Sequence, residues 1–275
     1  MPSTQQPNIA QRSPGHQSSN SANPKVPPQG HTTCQIGPGI RILQLNGEGV
    51  SWAKCKYLGN LLKTYNIDVL VLQETHVGND QQARRYRIYG YNLTTSDHHP
   101  KYSLAIYIKD TVTDFNVIPP TKEETTFTTT IKVGELHITN VYKAPSTRWP
   151  KPALPSSPIP CIYAGDFNYH HTMWGYKTNE TDCEDLMDGI SAQDLQLTYE
   201  LKQQSRFHSS RWQRGYNPDL TFVSKDQCGD TLTTTCEVLS TFPNSQHRHI
   251  MIYVGIKIPV FFLKQVPRWN FAKAD

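Results

Sequence analysis

Cys161-Ile162-Tyr163-Ala164-Gly165-Asp166-Phe167-Asn168 decides how this chain is read, with Tyr169-His170-His171 and Trp174-Gly175 close behind. Four mostly apolar residues rich in strand formers, Cys161 to Ala164, predict a short buried strand. Gly165, Asp166 and Asn168 follow at its end. Open α/β folds place their chemistry in loops at the carboxyl ends of central strands. Asp166 offers an ionised oxygen able to activate water, and Asn168 a neutral amide able to orient a phosphoryl oxygen. Taken alone, Asp-Phe-Asn also reads as a strand–turn whose side chains bond their own backbone. The rest of the chain decides between the two.

Amino-terminal to this stretch, Ile40, Ile42, Leu43 and Leu45 predict a strand ending in Asn46-Gly47. Ser51 is placed to cap a helix whose apolar positions are Trp52, Tyr57, Leu58, Leu61 and Leu62. Ile67 to Leu72 is almost wholly apolar, as a buried central strand requires, and runs into Gln73-Glu74-Thr75. Leu104 to Ile108, Phe127 to Val133 and Leu136 to Val141 predict further strands, the last two joined as a hairpin at Gly134-Glu135 and delivering Tyr142. A proline-dense loop from Pro145 to Pro160 reads as a rigid spacer within the domain. Asp182 to Ile190 predicts a helix, and Leu220 to Val223 and His249 to Ile258 complete the strands. Strands with few helices over some 220 residues indicate one layered α/β domain.

The chain has 275 residues, 36% hydrophobic and 18% charged, enough for one domain with a large core. A net charge of +4 permits a polyanionic partner without demanding one. No apolar run has membrane-spanning length and no amino-terminal signal sequence stands out, so a soluble, intracellular protein is expected. The six cysteines show no C-x-x-C spacing, and Cys161 in an apolar strand suits a reduced core thiol. In such a compartment the sequons at Asn92 and Asn179 are coincidental. Residues 1–38 hold no acidic side chain and are rich in Ser, Gln, Asn and Pro, which predicts a disordered polar tail whose loss leaves the fold intact.

Asn46, Glu74, Tyr142, Asp166 with Asn168, Asp219 and His247 all fall immediately after predicted strands or in turns beside them. Each has an ordinary reading. Asn46-Gly47 is a common turn pair, Glu74 a helix start, Tyr142 a core aromatic, Asp219 after Asn217-Pro218 a turn, and His247 a surface residue. As a set they are hard oxygen donors with one histidine. That suits Mg²⁺, which takes one or two carboxylates plus water and phosphate oxygens. Adjacent His170 and His171 point in different directions and no cysteine completes a tetrahedral set, so they shape the loop with Trp174 and do not hold zinc.

The segments Ile42–Gly47, Leu72–Thr75, Asn140–Pro145, Gly165–His171 and Asn217–Phe222 resemble, in order, the motifs of the endonuclease/exonuclease/phosphatase superfamily. His170-His171 with Trp174-Gly175, and the terminal Pro267-Arg268-Trp269-Asn270-Phe271, resemble the apurinic-type endonuclease domain of non-LTR retrotransposons. The resemblance implies a four-layered α/β sandwich, two packed mixed β-sheets flanked by helices, over residues 39–260. It implies residues 261–275 as a linker toward a reverse transcriptase, and action in the nucleus. It further implies a Mg²⁺-dependent (or Mn²⁺-dependent) DNA endonuclease that nicks target DNA and leaves a 3′ hydroxyl to prime reverse transcription. Glu74 is then the main metal ligand with Asn46 beside it. Asp166 orients or deprotonates water, Asn168 holds that water and a phosphate oxygen, Tyr142 donates to the scissile phosphate, and Asp219 fixes the tautomer of His247.

Lys143, Arg148, Lys177, Arg211, Arg214 and Arg248 are the candidate phosphate contacts on DNA. One position departs from the family pattern: Ser245-Gln246-His247 stands where Ser-Asp-His is usual. Gln246 keeps an oxygen and loses a charge, so weakened metal binding and reduced nicking are expected, with Gln246→Asp restoring activity at low Mg²⁺. The alternatives are a lapsed, DNA-binding remnant and a superfamily phosphatase acting on a small substrate.

Overall fold

The computed structural model describes residues 39–119, 125–180, 183–200, 202–225 and 229–255. The expected tail (1–38), the carboxyl-terminal linker (261–275) and the end of the last strand (256–258) lie outside the described residues. One six-stranded sheet contains β1 (Ile40–Asn46), β2 (Val69–Gln73), β3 (Tyr91–Asp97), β4 (Leu104–Lys109), β13 (Thr234–Thr241) and β14 (Arg248–Val254), in the order β13-β14-β1-β2-β4-β3. The second contains β5 (Phe115–Ile118), β6 (Thr126–Val133), β7 (Leu136–Lys143), β8 (Cys161–Asp166), β9 (Gln196–Leu197) and β12 (Asp219–Val223), in the order β5-β6-β7-β8-β12-β9. A separate hairpin pairs β10 (Phe207–Ser209) with β11 (Arg214–Tyr216). The helices are α1 (Trp52–Thr64), the single turn α2 (Asp80–Ala83) and α3 (Cys183–Ala192).

Period-two burial builds the layers. Ile42, Val69, Val71, Ile106, Ile138, Ile162, Val223 and Ile252 face inward and form the core between the sheets. The alternate residues Leu43, Leu45, Leu70 and Leu72 face outward onto Leu58 and Leu62 of α1. On the far side, Tyr163, Phe167 and Phe222 pack with Leu186 and Ile190 of α3. This is the expected four-layered α/β sandwich. Ser51 caps α1 as predicted, its hydroxyl accepting from Lys54 N at 3.2 Å. Trp52, expected on the apolar face of α1, is instead 64% exposed, and Cys55 takes the buried position. The loop from Pro145 to Pro160 is more than a spacer: Trp149, Ala153 and Leu154 are buried against β8 and α3. Cys55, Cys161 and Cys236 are free thiols.

Register carries the site residues to one edge. In the second sheet β7 runs parallel to β8 and sets Tyr142 beside Asp166, while β12 runs antiparallel and sets Asp219 on Asp166's other side. In the first sheet β1 and β2 are parallel and pair Asn46 with Gln73, one residue before Glu74. β14 is antiparallel to β1, so His247 arrives at the same edge from the opposite direction. A buried polar layer fastens the two sheets beneath this edge. Gln44 Nε2 donates to Gly165 O at 2.9 Å, Gln73 Nε2 to Asn140 Oδ1 at 2.6 Å, and Asn140 Nδ2 to Leu72 O at 2.9 Å.

Candidate active site

Asp166 is the hub. Its side chain is buried, and both carboxylate oxygens are held: Oδ2 by Asn46 Nδ2 at 2.8 Å and Oδ1 by the Asn168 backbone N–H at 3.0 Å. Asn168 turns back with φ +43°, and its Nδ2 donates to Lys143 O at 3.0 Å. Desolvation, followed by the neighbouring Asp219 charge, raises the Asp166 carboxyl above the usual carboxylate range; His247 and the Asn46 hydrogen bond oppose that rise. A carboxylate so placed is a better proton acceptor than a solvated one.

His247 lies across from it. Its Nδ1 shares a 2.7 Å hydrogen bond with Asp219 Oδ2, and its Nε2 lies 3.9 Å from Asp166 Oδ2. Burial alone would lower the imidazole pKa. The contact with Asp219 and the charges of Asp166 and Glu48 outweigh it and lift the value to about 9, so the ring carries charge at neutral pH. Phe207 closes over the ring edge-on, 4.7 Å between centroids. Arg206, also buried, donates to the Asp219 carbonyl at 2.7 Å and holds the start of β12.

On the first sheet Glu74 has φ +49°, a conformation unfavourable to a residue with a Cβ, and its carboxylate stays partly exposed. Tyr142 donates its hydroxyl to Glu74 Oε1 at 2.7 Å, and burial and the Glu74 charge raise the phenol's pKa far above its ordinary value. The phenol hydrogen thus points at Glu74 here. Asn46 Oδ1 accepts from Glu48 N at 3.0 Å, while its amide serves Asp166.

Glu48 is the residue that sequence reasoning missed. It lies in the Gly47–Gly49 turn with φ +42°, and buried Lys54 grips that turn through the carbonyls of Gly47 (2.7 Å), Glu48 (3.2 Å) and Gly49 (2.9 Å). The Glu48 carboxylate accepts from Gln246 N and from Gln246 Nε2, both at 3.2 Å. Gln246 Oε1 in turn accepts from Ser210 N at 2.7 Å, at the tip of the β10–β11 hairpin. The absent carboxylate of the Ser-Gln-His segment is therefore matched by one next door. An aspartate at 246 has no N–H in its side chain to offer Glu48. No sequence signal pointed to Glu48, because its partner lies 198 positions away.

The remaining candidates divide. Lys143 is buried, its ammonium set among Trp149 and Tyr169 and donating to Ala144 O, so it is withdrawn from the phosphate-facing set. Arg148, Lys177, Arg211 and Arg214 are exposed and Arg248 half-buried. His171 Nδ1 accepts from Met173 N at 3.0 Å and its ring lies on Trp174, while His170 stacks on Tyr176. Both shape the loop, as expected. Beside Asn168 and His247 opens a cleft of about 430 Å³ walled by Tyr176, Tyr216 and Trp212.

The donor set fits a hard divalent cation. Asp166, Asp219 and His247 offer ligand atoms within 4.8 Å of one another, and Asp219 Oδ1 is buried with no hydrogen-bond partner. A protonated His247 is a proton group and not a ligand, which leaves oxygens: Glu74, Asn46, Asp166, Asp219 and the nearby Glu48. Four carboxylates face one imidazolium, an excess of negative charge that a divalent cation offsets.

A family model described as endonuclease-reverse transcriptase matches residues 136–251. No curated protein sequence matches the chain. Among solved structures, the endonuclease domain of TRAS1, a telomere-specific non-LTR retrotransposon, is 19% identical and superposes with a TM-score of 0.55, covering 79% of this chain and 98% of that one. The AP endonuclease LMAP from Leishmania major is 15% identical with a TM-score of 0.58, covering 78% and 87%. An AP endonuclease from Archaeoglobus fulgidus is 14% identical with a TM-score of 0.57, covering 79% and 100%. The chain has the fold of the endonuclease/exonuclease/phosphatase superfamily, and its segment 136–251 carries the endonuclease–reverse transcriptase pattern.

Proposed function

We propose that this domain is a divalent-metal-dependent DNA endonuclease that nicks one strand and leaves a 3′ hydroxyl. The supporting observation is the pairing of Asp166, both oxygens held and its basicity raised, with a charged His247 whose Nε2 lies 3.9 Å away. Asp166 accepts a proton from water as the water oxygen bonds to phosphorus. The P–O3′ bond breaks, and the 3′ oxygen takes up a proton from solvent as it leaves. His247, held in one tautomer by Asp219, sets positive charge and an N–H against the phosphoryl oxygens. Asn168 fixes the water's position through its anchored amide. Glu74, Asn46 and Glu48 would hold the cation, which when bound offsets charge on the phosphoryl group.

Arg211, Arg214, Arg148, Lys177 and Arg248 supply phosphate contacts, so DNA affinity falls as salt rises. A nucleus-acting element in which a linked reverse transcriptase extends the nicked strand is the cellular setting this reading implies. The test is nicking of supercoiled plasmid with and without Mg²⁺, with polymerase extension of the nicked product as the assay for its 3′ hydroxyl. Phosphate release from small phosphomonoesters without plasmid nicking would point to a phosphatase. Salt-sensitive DNA binding with no nicking at any Mg²⁺ concentration would point to a lapsed, binding-only domain.

A further inference from the structure

A second groove lies away from the cleft. Its volume is about 540 Å³, and it runs between α1 and the segment Arg87–Tyr91. Trp52, Lys56, Gly59 and Lys63 recur every three or four residues and so line one stripe of α1, with buried Cys55 and Leu62 at the groove's inner edge. Arg87, Tyr89 and Lys109 form the other wall. Trp52 is 64% exposed and Tyr89 93%, an unusual cost for two large rings unless a ligand covers them. Lys56, Lys63 and Arg87 have no ion-pair partner among the described residues, and the groove's own lining holds no carboxylate. The charges of Asp68 and Asp110 reach Tyr91 at one end of the groove, and Asp68 accepts from Arg41 N.

The floor is open by sequence. Gly59 stands in mid-helix, where glycine costs about 1 kcal/mol relative to alanine. A Cβ there would meet Ile88 and Tyr89 only at 3.8 Å, so packing does not demand glycine. Tyr91 forms part of the floor and is fixed, its hydroxyl donating to Ile67 O at 2.5 Å. Lys109 lies beyond the Val69–Ile108 pair, so this end of the groove is at the start of β2, about 17 Å along the strand from Glu74. About 16 Å of helix separates Trp52 from Lys63.

Cations without ion-pair partners among the described residues, exposed rings and a groove about 16 Å long match the stacking-and-phosphate chemistry of single-stranded polynucleotide binding. From these features we infer that the α1 groove binds single-stranded nucleic acid, phosphates on Lys56, Lys63, Arg87 and Lys109 and bases on Trp52 and Tyr89. A duplex keeps its bases stacked inside and offers these rings little. The site is independent of the cleavage reading and stands or falls separately.

The experiment is fluorescence anisotropy in chelator, with labelled twelve-residue oligo(dT) and oligo(rU) and a duplex of equal length as probes. Trp52→Ala with Tyr89→Ala, Lys56→Glu with Lys63→Glu, and Gly59→Met to fill the floor should each weaken binding of at least one single-stranded probe about tenfold or more. Duplex binding should change less than about twofold, and plasmid nicking in Mg²⁺ should match the parent. Which oligonucleotide responds more identifies DNA or RNA as the natural source. Single-strand binding within about twofold of the parent for all three variants overturns the proposal, and so does an equal loss on the duplex. A circular-dichroism melt of each variant matching the parent assigns any loss to the groove.

Discussion

At the residue scale, division of labour among the carboxylates is the testable content of the site. Glu74 is partly exposed and receives the Tyr142 hydroxyl, whereas Asp166 is buried among fixed donors. Glu74→Gln keeps an oxygen ligand, so nicking should fall and recover as Mg²⁺ is raised. Asp166→Asn removes the proton acceptor, so nicking should fall by about 10²–10⁴-fold with no recovery. Identical Mg²⁺ titrations for the two variants would defeat that assignment. Gln246 gives a second test, and here the structure reverses the sequence expectation. Its amide joins Glu48 to Ser210, so Gln246→Asp sets two carboxylates together and unties the hairpin. Both Gln246→Asp and Glu48→Gln should raise the Mg²⁺ needed for half-maximal nicking. A gain of activity at low Mg²⁺ in Gln246→Asp would restore the simpler view that the glutamine is a deficit.

At the element scale, the second sheet depends on how closely β8 approaches β7. A Cβ on Gly165 would lie 1.8 Å from Val141 O, so Gly165→Ala should destabilise the domain by about 3 kcal/mol or more, measured by denaturant unfolding. Asn140→Leu strips partners from Gln73 and from the Leu72 and Ala105 carbonyls and should cost about 2–4 kcal/mol. Losses under about 1 kcal/mol would show that the polar layer contributes little to holding the sheets. What the sequence revealed follows the same geometry. The eight strands legible as apolar runs are β1, β2, β4, β6, β7, β8, β12 and β14, the interior strands of the two sheets. The unread β3, β5, β9 and β13 are the four edges. An edge strand has a neighbour on one side only, so Asn92, Thr94 and Thr95 in β3 or Thr234 and Thr235 in β13 suffice there, and they leave no apolar pattern to read. The site residues were legible because interior strands end in them. Glu48 was not, because its partner Gln246 is brought to it only by the fold, and Lys54 was not, because nothing in a helix sequence marks a lysine that turns back onto the preceding loop.

At the scale of the whole molecule, the site places a proton-dependent load on folding. Asp166 titrates above its ordinary 3.8 and His247 above its ordinary 6.5, at about 9. Both shifts are upward, so the folded chain holds these protons at pH values where the unfolded chain has released them. The stability each contributes is complete below the ordinary value and is lost as pH rises through the folded one. In chelator the melting temperature should therefore fall steadily from about pH 5 to about pH 9. His247→Gln removes the part lost between 6.5 and about 9 and should flatten that limb. The charge of a divalent cation held beside Asp166 and His247 disfavours their protons, so its binding releases protons and stabilises the folded state most where protons are scarce. Added Mg²⁺ should then raise the melting temperature more at about pH 8 than at about pH 5. A Mg²⁺ effect independent of pH would mean that the cation sits on Glu74 and Asn46 without sensing Asp166, and the shared-charge account of the site would have to be given up.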